Sequence, residues 1–171
     1  MSVIDELVRD NRKYSRQFTR GDLAMPPARR VAIVTCMDAR IIPSRALGLE
    51  EGDAHVIRNA GGRTQEALRS LVISQRLLGT NEIAVIHHTD CGMLTFTNAS
   101  LRAKVKQDLG ADPGDIDFLP FADVEASVRE DVALLRASPL IGRDVEIRGF
   151  VFDVRTGGLS EVKLEEPARV R

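Results

Sequence analysis

The sequence predicts an α/β protein with a mostly parallel central β-sheet that is flanked by helices. Two short apolar runs rich in β-branched residues, 31–34 and 83–86, are typical of buried strands. Between them, residues 64–78 have apolar side chains on more than one helical face. This pattern predicts a buried helix in a crossover between parallel strands. The glycine pair at 157–158 follows a late apolar strand pattern and predicts a hairpin, so the C-terminal edge strand should be antiparallel.

Length and composition predict one globular domain, 1–171, in which residues 1–20 form an N-terminal helical arm. The chain has 171 residues, 43% of them apolar, and a formal net charge of −1. This charge provides no bulk attraction to nucleic acid or to an anionic membrane. No apolar stretch approaches the roughly 20 residues of a membrane span, and the N-terminus lacks the apolar core of a signal peptide. We therefore expect a cytoplasmic protein with neither nucleic-acid nor membrane partners.

Local signals predict the elements of the first half in order. Ser2 can cap a helix that runs to about residue 18. This helix is so polar that it would be marginally stable alone, which suggests that it packs on a partner subunit or on the sheet. A linker at 21–27 leads to the first strand. A short helical turn at 44–48 and a second strand at 54–58 follow, and Thr64 is expected to cap the helix that comes next.

The second half continues the same alternation. Gly79 is expected to end the long helix before the strand at 83–88. Thr97 or Asn98 can then cap a helix that extends to about residue 109. Apolar residues at helical spacing within 121–137 predict one more helix, and 145–154 contains the last long strand.

Residues capable of metal chemistry follow the two apolar strands. Cys36 comes directly after the first, and His88 and Cys91 end the second. The carboxyl ends of neighbouring parallel strands share one edge of a sheet, where ligands bind. Two thiolates and one imidazole at that edge would form a zinc site with one position open. The alternatives for Cys36 and Cys91 are small buried core residues or a redox pair.

The chain offers three histidines, and spacing favours His88 as the ligand. A separation of three residues from Cys91 across a turn is a usual chelating geometry. Side chains alternate along a strand, so His87 should point to the opposite face and serve as a core or interface residue. His55 lies within another strand, far from either cysteine in sequence, and is expected to be structural.

Asp38 and Arg40 alternate with Cys36 and are expected to lie on its side of the chain. A carboxylate beside a guanidinium stays ionised. Paired in this way, Asp38 can orient a metal-bound water, whereas an unpaired Asp38 could bind the metal itself. The backbone N–H of Gly92 could hold an anionic product. The alternative is an ordinary surface ion pair.

Taken together, these motifs resemble the β-class carbonic anhydrases. The resemblance covers residues 31–96 and rests on Cys36-x-Asp38-x-Arg40, the segment at 58–61 (Arg-Asn-Ala-Gly) and His88-x-x-Cys91. It implies one Zn²⁺ per chain on Cys36, His88 and Cys91, with Asp38 and Arg40 as the catalytic pair. It also implies reversible hydration of carbon dioxide by a zinc-bound hydroxide, in a homodimer or a dimer of dimers (homotetramer) whose N-terminal helix embraces the partner.

Two other functions remain open from the sequence. Some relatives with the same ligands hydrolyse carbonyl sulfide or carbon disulfide in more apolar pockets. Such a pocket could be lined by Met37, Ile41, Ile42, Met93 and Phe96, although most of these residues are better explained as core residues. The second alternative is a non-catalytic, zinc-stabilised dimeric interaction module.

Overall fold

The computed structural model describes residues 2–164, whose central feature is a five-stranded sheet in the order β2-β1-β3-β4-β5. The strands are β1 (Val31–Cys36), β2 (Ala54–Asn59), β3 (Glu82–His88), β4 (Glu146–Phe152) and β5 (Leu159–Glu161). The first four strands pair in parallel, and β5 is antiparallel to β4. The predicted fold class is therefore confirmed, including the antiparallel edge strand.

In the described part of the chain, five α-helices surround or extend from this sheet. They are α1 (Val3–Ser15), α2 (Pro43–Leu47), α3 (Thr64–Leu78), α4 (Asn98–Leu109) and α5 (Val124–Ala137). Short 3₁₀ turns at Ala60–Gly62 and Gly92–Leu94 follow β2 and β3. Within residues 2–164, no helix combines the length and the apolar character needed to cross a membrane.

The predicted helix signals were correct at three ends and wrong at one. Ser2 caps α1, Thr97 caps α4, and Gly79 ends α3 in a left-handed conformation. Thr64, in contrast, does not cap α3. It is the first helical residue, and its buried hydroxyl donates to the backbone carbonyl of Asp131 on α5 at 3.1 Å. The Thr64 hydroxyl, which the local pattern predicted to cap α3, therefore makes a tertiary hydrogen bond instead.

The two faces of the sheet bury two different apolar layers. On one face, α3 and α5 cover a layer that includes Ala32, Val34, Leu71, Val85, Val128, Val132 and Leu135. On the other face, α2 and the connecting segments contribute to a layer that includes Ile33, Ile41, Ile86, Met93, Phe121 and Phe152. Both cysteines belong to the second layer. The expected chemistry therefore lies on the face that long helices do not cover.

Gly149 of β4 marks the closest approach of α5 to the sheet. A Cβ at this position would lie 2.4 Å from Cγ1 of Val128 and 3.2 Å from Cγ2 of Val132. Strand and helix can therefore pack at this distance only because residue 149 has no side chain.

We predict that Gly149→Ala destabilises the protein by about 1–3 kcal/mol, because overpacking must displace α5 or its valines. Chemical denaturation measures the change. Gly21→Ala is the matched control, since a Cβ at Gly21 meets no atom within 4 Å. Equal stability of the two variants would contradict the packing argument.

Candidate metal centre

Three side chains from two adjacent strands converge at the carboxyl edge of the sheet. The Sγ atoms of Cys36 and Cys91 and a ring nitrogen of His88 all lie within 4.8 Å of one another, and all three residues are buried. Cys36 is the last residue of β1 rather than part of the following loop, and His88 is the last residue of β3. Cys91 directly precedes the 3₁₀ turn. The structure thus brings together the three side chains that the sequence selected.

The imidazole of His88 is oriented by its own backbone turn. Its Nδ1–H donates to the carbonyl of Thr89 at 2.9 Å, which leaves the lone pair of Nε2 facing the site. Nε2 is fully buried and has no hydrogen-bond partner among residues 2–164. A buried polar atom without a partner is costly, and a histidine fixed through its second nitrogen is the usual arrangement of a metal ligand.

The two sulfurs affect each other's ionisation. Interaction with the Cys91 thiol, opposed by burial and supported by His88, lowers the pKa of Cys36 below its ordinary value. The same contact and the burial of the site raise the pKa of Cys91, because one thiolate disfavours a second thiolate beside it. Two adjacent thiolates therefore require a cation between them.

The donor set fits zinc. Thiolate and imidazole ligands are those that zinc prefers, at bond lengths of about 2.3 and 2.0–2.1 Å. A single ion bonded at such lengths can span separations of the order seen among these three atoms. Three protein ligands leave one position of a tetrahedral zinc ion open for water or substrate.

Asp38 and Arg40 form a two-point ion pair beside this cluster. Nε of Arg40 donates to Oδ1 of Asp38 at 3.0 Å, and Nη2 donates to Oδ2 at 2.8 Å. These hydrogen bonds hold the pKa of Asp38 well below its usual range and raise the pKa of Arg40. Oδ2 of Asp38 lies 3.9 Å from Nε2 of His88. An ionised carboxylate is therefore fixed next to the cluster.

Two further residues, which the sequence analysis did not assign to the site, hold this ion pair in place. Asp90 accepts from Nη1 of Arg40 at 2.7 Å through Oδ2, and its backbone carbonyl accepts from Nη2 at 2.9 Å. Asp90 has φ +55°, a left-handed conformation that aspartate tolerates. Arg58 donates to the carbonyls of Cys36 and Asp38 at 3.0 and 2.7 Å. Arg58 stood within a recognised motif, whereas an exposed aspartate in a turn carries no distinctive sequence signal.

The remaining candidates separate clearly. His87 is buried on the opposite face of β3, as predicted, where its Nδ1 contacts Oγ of Ser127 on α5 at 2.7 Å. His55 contacts Ser74 on α3 and is not part of the cluster. Gly92 adjoins Cys91, and a Cβ built at Gly92 meets no atom within 4 Å.

The five apolar residues considered for a substrate pocket also divide. Ile41 and Met93 are buried in the second apolar layer, and Phe96 packs against it. Met37 and Ile42 are exposed in the segment between β1 and α2. The structure therefore divides the five side chains between a buried layer and the exposed surface.

Comparison with known proteins agrees with this geometry. The family model of the carbonic anhydrases matches residues 31–117. β-Carbonic anhydrase 1 of Mycobacterium tuberculosis is 46% identical over 165 residues, which cover 95% of this chain and 99% of that protein. The crystal structure of a carbonic anhydrase from Streptococcus mutans superposes with a TM-score of 0.91 and 54% identity, covering 95% and 99% of the two chains. Carbon disulfide hydrolase of Saccharolobus solfataricus is 35% identical over 178 residues, covering 90% and 85%.

We predict that His88→Ala reduces bound zinc to well below one ion per chain, because two thiolates alone lack the third ligand. Inductively coupled plasma mass spectrometry of dialysed protein measures the ratio. His55→Ala is the control and should keep the metal content of the parent protein. Full metal loading of His88→Ala would exclude His88 from the ligand set.

Proposed function

This chain belongs to the β-class carbonic anhydrases, whose activity is the zinc-dependent reversible hydration of carbon dioxide, and from that premise we propose roles for its residues. Cys36, His88 and Cys91 hold the zinc ion, and Asp38 and Arg40 form the catalytic pair. The observation that carries the proposal is a buried Cys–His–Cys cluster with an unpartnered imidazole nitrogen, directly beside an ionised carboxylate.

The chain's own groups bind and orient the reactants. When bound, zinc supplies Lewis acidity that lowers the pKa of a coordinated water. A carboxylate oxygen of Asp38 can accept a hydrogen bond from the reacting water and so fix the orientation of that water. Arg40 donates to both oxygens of Asp38, and this pairing would keep the carboxylate from binding the zinc ion itself. We propose that the N–H of Gly92, an exposed residue next to Cys91, helps to hold the anionic product.

Carbon dioxide is the substrate we propose, with carbonyl sulfide or carbon disulfide as the alternative. The alternative draws on the likeness to a carbon disulfide hydrolase and on the exposed apolar side chains of Met37 and Ile42 beside the site. Against it, Ile41 and Met93 are buried in the second apolar layer.

We predict that Asp38→Asn lowers kcat for carbon dioxide hydration by about 100-fold or more, since an amide cannot keep the two-point contact with Arg40 or orient water as a carboxylate does. Stopped-flow assays on carbon dioxide, with parallel assays on carbonyl sulfide and carbon disulfide, measure the change and the preference. The zinc content should remain that of the parent protein.

Asp108→Asn is the matched control for this experiment. Asp108 also pairs with a cation at 2.8 Å, the ammonium of Lys104, but on an exposed helix. Its substitution should leave turnover unchanged. A zinc-loaded parent protein that turns over none of the three substrates would instead favour the zinc-stabilised interaction module.

The N-terminal helix and the free edge of β2 support a homodimer. α1 buries none of its own residues within the chain, although Ile4 and Leu7 are 71% and 64% exposed on one face with Val3 and Val8. β2 stands at the edge of the sheet described over residues 2–164, with Val56 exposed. An exposed edge strand and an unpartnered apolar helix face both favour association. We propose that 1–20 is an arm on one domain, 1–171, and that two arms exchange in a dimer or a dimer of dimers.

The two thiols support a cytoplasmic location. Cys36 and Cys91 are both free. A zinc site with two thiolates persists most readily in a reducing compartment, where thiols are not drawn into disulfides.

We predict that the double substitution Ile4→Asp with Leu7→Asp converts the oligomer to a monomer, because two carboxylates would be buried in an apolar contact. Light scattering coupled to size-exclusion chromatography measures the mass. Lys13→Gln, on the polar face of the same helix, is the control and should keep the parent mass. A monomeric parent protein at micromolar concentration would contradict the dimer.

A further inference from the structure

A buried polar cluster lies behind the metal centre, on the opposite face of β3. It consists of His87, Ser127 and Asp131, whose side chains are at most 1% exposed. The proposed mechanism uses none of them. Burying a histidine and a carboxylate is costly unless both are well partnered, so the cluster requires an explanation beyond filling the core.

Each polar atom of the histidine ring has a specific partner. Oγ of Ser127 lies 2.7 Å from Nδ1 of His87 and 2.8 Å from the carbonyl oxygen of Val124. The other ring nitrogen, Nε2, donates to the carbonyl of Gly62 at 3.3 Å. Nε2 also lies 3.0 Å from Oδ2 of Asp131, at ion-pair distance, although Oδ2 accepts no hydrogen bond from residues 2–164. Helix α5 and the segment after β2 are thus tied to one imidazole.

The same ring stacks on an aromatic side chain. His87 and Phe121 have ring centroids 5.5 Å apart at an interplanar angle of 16°. Arg63 contacts two members of this group. Its guanidinium carbon lies 5.7 Å from the Phe121 ring centroid, and its Nη2 lies 3.6 Å from Oδ1 of Asp131. The imidazole is therefore fixed in plane as well as in direction.

The Gly61–Gly62 segment connects this cluster to the first ligand. A Cβ at Gly62 would lie 3.0 Å from the backbone nitrogen of Cys36, so this backbone rests directly against the ligand residue. His87 therefore contacts the segment that supports Cys36, and it is also the covalent neighbour of His88.

We propose that His87 and Asp131 are positioning residues for the metal centre: they fix the Gly61–Gly62 segment against Cys36 and the end of β3 that carries His88. The inference rests on the proposed ligand set. It explains why a polar group occupies a place where an apolar side chain could fill the core, since only directional hydrogen bonds fix the segment relative to the strand. Partners one step beyond the ligands typically change metal affinity by 10–100-fold, and this cluster acts one step further out.

The test measures zinc release from the holoenzyme into excess EDTA, well below the melting temperature of every variant. We expect Asp131→Asn to release zinc about tenfold faster than the parent protein, and Ser127→Ala to shift in the same direction. Cobalt-substituted protein should show altered ligand-field absorption in both variants, because the three ligand atoms are held less tightly. Ser127→Ala removes only one hydroxyl, so it still tests the inference if Asp131→Asn does not fold.

Ser74→Ala is the matched control. Ser74 is equally buried on α3 and contacts Nδ1 of a strand histidine, His55, at the same 2.7 Å, but away from the cluster. The Ser74→Ala variant should be less stable than the parent protein but should have the same rate of zinc release and the same cobalt spectrum. Unchanged release and spectrum in the folded cluster variants, or an equal acceleration in Ser74→Ala, would overturn the inference. A parent protein without zinc would overturn the ligand set itself, which separates the two failures.

Discussion

The parallel pairing of β1 with β3 is the constraint on which the site depends. Thr35 of β1 is in register with Ile86 of β3, so both strands end at the same edge, with Cys36 closing one and His88 closing the other. A register shift of one residue would turn His88 to the opposite face and replace it with a different side chain. The apolar residues earlier in both strands pack in the core and thereby fix this register. A site of only three ligand atoms can therefore be positioned accurately.

Charge in the site is organised as a series of paired groups. Two sulfurs favour a divalent cation between them, and the carboxylate of Asp38 stands next to that position. Arg40 donates a hydrogen bond to Asp38, and Asp90 in turn accepts a hydrogen bond from Arg40. Each member limits the freedom of the next, so an exposed guanidinium that would contribute little to stability by itself acquires a single orientation.

The two faces of the sheet divide the work between stability and chemistry. One face packs the long helices α3 and α5 closely enough that Gly149 must be a glycine. The other face carries both cysteines in a layer to which α2 and the connecting segments contribute. His87 and His88, consecutive on β3, illustrate the division, because alternation along a strand sends one to the helix-covered face and the other to the metal centre.

The sequence by itself determined the α/β class, the order of the long strands and helices along the chain, and the selection of Cys36, His88 and Cys91, because periodicity, chelating spacing and motif are all local properties. It also placed the glycine that ends α3. Tertiary structure alone decided that Thr64 bonds to α5 instead of capping α3, that Asp90 holds Arg40, and that His87 supports the segment behind Cys36. These contacts join residues from 25 to 67 positions apart, and no pattern along the chain specifies such partners, since they are set by how helices and loops pack across a sheet.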